Sequence, residues 1–285
     1  MSNKSRESLA LTKNKDQYTS LNKQLGQNFL TDNNILQKIV LAANVTPETA
    51  VLEIGAGSGN LTAHLCRTAK KVVAVEIDDR FIPVLENTFA KRNNCHIVHG
   101  DMLKIDPADI LQHEEYIVVA NIPYYITSAL IRHLITSQVK PKRLILTIQY
   151  EVAERICAQS GKMSLLALSV QIFGNPSLLF KIKPGAFRPQ PKVDSAVVLI
   201  DMYDQPLIET ENLDLFFKIA KSGFGKKRKT LANSLSSGMK REKSKIITLL
   251  ETAGINPMRR AETLTIPEWH ALTTLWIQTF PTAIQ

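Results

Sequence analysis

Residues 51–62 read VLEIGAGSGNLT: an apolar run carrying one acid, Glu53, then glycines at 55, 57 and 59, then a stretch that suits a helix. Glycines at this spacing let a turn take positive φ and let the backbone approach a ligand closely. A strand–glycine turn–helix unit of this kind places the turn at the carboxyl edge of a sheet, where open α/β folds bind cofactors. The spacing is GxGxG, not the GxGxxG of the dinucleotide fingerprint.

Working outward, short apolar runs alternate with helix-length segments. Strands are expected at Ala50–Ile54, Lys71–Glu76, His96–His99, Tyr116–Ala120 and Leu144–Ile148. Helices are expected at Asn60–Thr68, Asp79–Ala90 and Thr127–Ser137. An earlier helix places Ile35, Leu36, Ile39, Val40 and Ala43 on one face, with Thr31 or Asp32 as N-cap. This rhythm predicts a mostly parallel sheet covered on both faces. After Glu151 it changes. Leu178–Lys183 and Ala196–Asp201 read as strands around the proline-rich PGAFRPQPKVD, and from about Glu211 only helical patterns remain, at Leu213–Lys221, Lys243–Ala253 and Pro267–Phe280. The expected organisation is a polar N-terminal arm at 1–24, an α/β domain at 25–205 and a smaller all-helical domain at 206–285.

The chain has 285 residues, 44% of them hydrophobic, which supplies a large core and excludes wholesale disorder. No window reaches the roughly 18 consecutive apolar residues of a membrane span, and the polar start lacks a signal-peptide apolar region. A soluble cytoplasmic monomer is expected. The cysteines at 66, 95 and 157 do not make a disulfide framework, and no histidine pair has metal-ligand spacing, so no metal is expected.

Lys and Arg number 35 against 26 Asp and Glu, a net charge of +9. Residues 221–245 hold nine basic residues against one acid, Glu242, so this window alone carries +8 of that charge. Its Lys226-Lys227-Arg228-Lys229 run lies between Phe224 and Leu231, with Leu235 and Met239 following at near-helical spacing. A folded element with one basic side suits a polyanion, most simply the phosphates of a nucleic acid.

Three more polar groups stand at strand ends. Glu76 ends the second strand, 21 residues after Gly55, where an acid can accept hydrogen bonds from both hydroxyls of a ribose. Asp101 follows the third strand, within reach of an adenine amino group in such a layout, and Asn121 ends the fourth in ANIPYY. Four consecutive strand ends each deliver a polar or glycine position to one edge.

These motifs resemble class I S-adenosyl-L-methionine-dependent methyltransferases, a Rossmann-like α/β fold, and NIPY at 121–124 is similar to the signature of enzymes that methylate adenine N6. More narrowly, LGQNFL (25–30), ANIPYYIT, PGAFRPQPKVDSAV (184–197) and FGKKRKTL (224–231) resemble the small-subunit rRNA adenine N6,N6-dimethyltransferases, over residues 22 to 280. The resemblance implies cofactor contacts at Asn28, Leu30, Gly55, Glu76, Asp101 and Asn121, with Gln27 and Asn28 over the methionine end. It implies acceptor-side roles for Asn121, Pro123, Tyr124 and Phe187, the last closing the other side of the base, and RNA contacts at Lys226, Lys227, Arg228 and Lys229. This chain has Ala56 where the family often has Pro, Ile122 where it often has Leu, and Lys227 in a motif that is often Arg-rich, which changes the geometry of phosphate contact there.

The implied reaction dimethylates two adjacent adenosines in the 3′-terminal hairpin of small-subunit rRNA, with a pre-30S particle as partner. Adenine N6 is a poor nucleophile because its lone pair is delocalised into the ring, so acceptors that draw the amino group toward tetrahedral geometry suffice without a strong base. The Asn121 side-chain oxygen and a main-chain carbonyl at Ile122–Pro123 fit that task, and Tyr124 offers a stacking face. The competing readings are a macrolide-resistance large-subunit rRNA methyltransferase, which shares NIPY, and a non-catalytic RNA-binding assembly factor on the same scaffold. A dehydrogenase is disfavoured by the glycine spacing and by the lack of a hydride-transfer acid or base.

Overall fold

The computed structural model describes residues 27–112 and 114–280, so the expected arm at 1–24 lies outside the described residues. Nine strands are described: β1 (Phe29–Leu30), β2 (Ala50–Ile54), β3 (Lys71–Glu76), β4 (Cys95–His99), β5 (Tyr116–Asn121), β6 (Arg143–Gln149), β7 (Gly174–Ile182), β8 (Phe187–Arg188) and β9 (Ser195–Met202). Seven of them form a sheet in the order β4-β3-β2-β5-β6-β9-β7, while β1 and β8 pair separately. Strands β2 to β6 run parallel to one another, and β9 is antiparallel to β6. The order reverses at β2, which lies between β3 on one side and β5 on the other. That is the switch point at which connections leave in opposite directions and a crevice opens at the carboxyl ends. The loop after β2 carries the glycines, and β5 ends at Asn121.

The central strands are apolar because both faces are covered. Val51, Leu52, Val118, Val119, Leu144 and Leu146 are fully buried. Between strands lie α1 (Asn33–Ala42), α2 (Asn60–Leu65), α3 (Ile82–Phe89), α4 (Pro107–Leu111) and α5 (Thr127–Thr136). Asp32 is the cap of α1, accepting from the amides of Asn34 and Ile35, and Leu36 and Ile39 are buried from that helix. Two helices less evident in the sequence follow β6, namely α6 (Tyr150–Ile156) and α7 (Leu165–Gln171). Strand β7 starts at Gly174, four residues before the expected Leu178.

The chain divides into two compact units, one comprising the residues up to Ala153 together with Ser177–Asp201, the other Glu154–Pro176 together with Met202 onward. The second is helical: α7, α8 (Leu213–Phe224), α9 (Leu231–Met239), α10 (Lys243–Thr252) and α11 (Ile266–Thr279). Its core centres on Trp269 and Trp276, both fully buried. Phe224 stacks on Trp269 with centroids 5.7 Å apart. A Cβ on Gly223 would lie 2.7 Å from the same indole, so only glycine lets α8 approach it. Thr265 and Glu268 form a capping box at the start of α11.

Candidate active site

A cavity of about 210 Å³ opens at the carboxyl edge of β2, β3 and β5. Of the positions marked in the sequence, Asn28, Gly55, Glu76, Asp101, Asn121, Pro123 and Tyr124 line it. Leu30 lines a small adjoining hollow shared with Gly55 and Asn121. Strand ends far apart in the chain converge here because parallel strands all present their carboxyl ends to one side.

The glycine loop is built around the Glu76 carboxylate. Gly57 sits at φ 53°, and its amide donates to Glu76 Oε2 at 2.6 Å. The other oxygen accepts from the amides of Ile77 (2.9 Å) and Asp78 (2.8 Å). Burial pushes the Glu76 carboxyl upward, and the three amides pull the other way. Three of about four acceptor positions are thereby used to fix the group, leaving capacity for one further donor. A Cβ on Gly57 would lie 2.6 Å from the Phe29 ring, so the loop and the β1 segment close on each other only with glycine there.

The segment before α1 is held from several sides. Gln27 Nε2 donates to Asp78 Oδ2 at 2.8 Å, Asn60 Nδ2 to the Leu30 carbonyl at 3.1 Å, and Asn121 Nδ2 to the Asn28 carbonyl at 2.9 Å. Arg80 beside Asp78 holds that carboxyl down to about 2. Gln27, expected over a methionine end, is thus tied to the residue two beyond Glu76. The Asn121 bond matters for chemistry: with its amino group committed to Asn28, the side-chain oxygen is the remaining acceptor, and it belongs to a residue of the cavity wall. Next to it the Ile122 amide donates to Thr147 O at 3.1 Å, and the Tyr124 hydroxyl lies 2.7 Å from Ser195 Oγ. Asp101 accepts from the Leu103 amide at 3.1 Å.

Phe187 is placed differently from its expected role. It is 1% exposed, belongs to the apolar core with Phe29 and Leu30, and does not line the cavity. Its backbone pairs with Leu30 in the β1–β8 ribbon, and the neighbouring Ala186 carbonyl accepts from the Thr31 amide at 2.9 Å. Phe187 therefore supports the strand that presents Asn28. The aromatic residue that is both exposed and in the cavity wall is Tyr125, at 62% exposure. The sequence offered a signal for it, the doubled Tyr in NIPYY. Phe29 in the wall gave none beyond its place in LGQNFL.

Glu53 is a further residue without an expected role. It is 1% exposed, its Oε2 has no hydrogen-bond partner, and burial raises its carboxyl to about 8. Among the described residues no group of three His, Cys, Asp or Glu could hold a metal, and no helix is long and apolar enough to cross a membrane.

In the helical unit, Lys226, Lys227, Arg228 and Lys229 are all exposed in the turn joining α8 to α9. The Lys229 amide closes that turn onto the Lys226 carbonyl at 2.9 Å, and Lys226 Nζ donates to Ser237 Oγ at 2.9 Å. Leu231 and Leu235, on the other side, are buried.

The family described as ribosomal RNA adenine dimethylase matches residues 18–276. A ribosomal RNA small subunit methyltransferase A from Dehalococcoides mccartyi is 45% identical over 251 residues, spanning 88% of this chain and 86% of the relative. The protein of that name from Alkaliphilus metalliredigens is 43% identical over 258 residues, spanning 88% and 90%. The crystal structure of a dimethyladenosine transferase from Plasmodium falciparum superposes with a TM-score of 0.77 at 28% identity, covering 88% of this chain and 98% of that one. That of the 23S rRNA methyltransferase ErmE gives 0.71 at 26%, covering 87% and 99%. The strand order, the glycine cradle under Glu76 and the matched length agree: the chain belongs to the ribosomal RNA adenine dimethylase family, S-adenosylmethionine-dependent enzymes of the class I methyltransferase fold.

Proposed function

We propose that this protein dimethylates two adjacent adenosines in the 3′-terminal hairpin of small-subunit rRNA, acting as a cytoplasmic monomer on a pre-30S particle. The observation that carries the reading is the Asn121 side chain, whose amino group is anchored on the Asn28 carbonyl so that its oxygen serves as acceptor in the wall of the cavity.

In this reading Gly55, Glu76 and Asp101 hold the nucleoside part of S-adenosylmethionine, and Asn28, Leu30 and Asn121 flank its methionine part. When bound, the cofactor supplies an electrophilic methyl on a sulfonium. The chain's own contribution is placement and polarity. The Asn121 oxygen and the Ile122 carbonyl accept the N6 hydrogens, localising the lone pair on nitrogen. Pro123, at φ −55° and ψ 131°, sets the turn that aims them. Tyr124, oriented by Ser195, and the exposed Tyr125 offer aromatic faces to the base. Such catalysis draws on orientation and fixed dipoles rather than on a titrating base. The target base must be unstacked to enter, at a cost of a few kcal/mol. The exposed Lys226–Lys229 turn supplies phosphate contacts that offset it.

Purified protein is expected to transfer labelled methyl groups to small ribosomal subunits from a strain lacking this modification, giving dimethyladenosine at two neighbouring positions. Label confined to large-subunit RNA would assign it to the macrolide-resistance reaction, and cofactor binding without transfer to either particle would leave an assembly factor.

A further inference from the structure

A second hollow, of about 370 Å³, lies in the same unit and plays no part in the chemistry above. It is lined by Gln149, Tyr150 and Glu151, around the start of α6, and by Pro184, Lys192, Val193 and Asp194. Two of its lining residues, Gln149 and Asp194, lie at the end of the β6–β9 ladder. The last rung pairs Gln149 with Ser195, and one step on, the Tyr150 amide donates to the Asp194 carbonyl at 3.0 Å. Ser195 is the residue whose hydroxyl meets Tyr124. The hollow therefore begins about one strand residue, roughly 3.4 Å, beyond the support of the acceptor-side tyrosine.

Its walls combine four kinds of group. Tyr150 contributes an aromatic ring, with Lys181 Nζ 4.1 Å from its centroid. Pro184 and Val193 are apolar, and Val193 is 46% exposed, a cost that an occupant would remove. Gln149 and Glu151 offer hydrogen-bonding edges. Asp194 gathers Lys181 (2.6 Å) and Lys183 (3.4 Å), and Lys192 is exposed with no ion-pair partner among the described residues. An aromatic surface with apolar sides, polar edges and cations nearby is the combination that holds an unstacked nucleotide of a single strand.

We propose that this hollow is a second nucleotide subsite, which seats the base neighbouring the one under methylation, between Tyr150 and the Pro184–Val193 wall, with Lys192 turned toward its phosphate. The inference rests on the reading that the substrate carries two adjacent adenosines. It gives the second adenosine a place beside the cavity while the first is modified, and gives the enzyme a reason to prefer the pair over a lone adenosine.

The test uses small subunits reconstituted with unmodified rRNA in which the neighbouring adenosine is either retained or replaced by an abasic residue. The wild-type enzyme is expected to show kcat/KM at the remaining adenosine lower by roughly five-fold or more on the abasic particle, the lower end of what a stacked base contributes. Val193→Asp and Lys192→Ala change exposed positions, and both should shrink that ratio toward one while binding of S-adenosylmethionine is unaltered. Equal kcat/KM on the two particles with wild-type enzyme overturns the subsite. So does a ratio that persists in both variants. Absence of transfer to either particle would instead remove the dimethyltransferase reading on which the subsite depends.

Discussion

In the proposed function Glu76 and the Lys226–Lys229 turn both provide charge for a ligand, yet the fold treats them in opposite ways. The Glu76 carboxylate is 4% exposed and held by three backbone amides, so its position is set before anything binds. The four cations of the turn are exposed, with a side-chain tether from Lys226 to Ser237. A buried group in low dielectric acts strongly and locally, and loses its value if displaced by an ångström. Exposed cations act by number and sign, tolerate movement, and are screened by salt. In the proposed function chemistry and grip are thus divided between a rigid edge and a solvated turn.

The largest expected effect follows from the rigid edge. Asn121→Ala removes both the proposed acceptor for N6 and the anchor on the Asn28 carbonyl. Transfer should fall by roughly 10²–10³-fold, the scale for losing one preorganised hydrogen-bonding group. Asn121→Asp is the sharper variant. It keeps an acceptor but cannot donate to Asn28, so it separates polarity from placement. If single-turnover rates with either variant match the wild type, the edge is not what activates N6.

That edge was also the most legible part of the chain. Gly55, Glu76, Asp101 and Asn121 could be placed together from sequence because each follows an apolar run, and parallel strands bring such positions to one side. Phe187 could not. Its neighbours Pro184 and Pro189 mark a turn, but whether the ring enters the cavity or the core depends on the β1–β8 pairing, across residues more than 150 apart in sequence. Helix α9 was legible only in part: Leu231, Leu235 and Met239 recur at near-helical spacing, but three serines and a glycine interrupt the pattern, and its bounds are set by packing against α8 and α10. The Asn121–Asn28 bond and the orphaned Glu53 oxygen are tertiary facts with no local signature.

Glu53 gives the intermediate effect. Its folded-state value of about 8 lies above the ordinary 4.5 because burial disfavours the charged form. The native state therefore holds a proton that the unfolded chain releases between those values. Stability is expected to fall as pH rises from about 4.5 to about 8 and to level off above, by an amount on the order of 5 kcal/mol. Glu53→Gln removes the titration, so urea unfolding of the variant should lose that decline while the wild type keeps it. Parallel pH profiles for the two proteins would mean that Glu53 ionises as readily in the fold as in the unfolded chain.

The smallest effect at moderate salt, and the one that probes the other side of the comparison, is replacement of Lys226, Lys227 and Lys229 by Ala. Because these side chains are exposed and no cavity wall described above includes them, folding and cofactor affinity should be unchanged. Each phosphate that a cation neutralises adds about 0.7 to 0.9 to the slope of log affinity against log salt, so removing three cations predicts a slope shallower by roughly 2 to 3 for binding to the small subunit. The weakening of affinity is then largest in dilute buffer and shrinks as salt approaches the concentration at which the wild-type cations are themselves screened. An RNA held instead by shape and hydrogen bonds would bind more weakly by a fixed factor at every salt concentration, so parallel lines for wild type and variant would show that this turn positions the RNA rather than neutralising it.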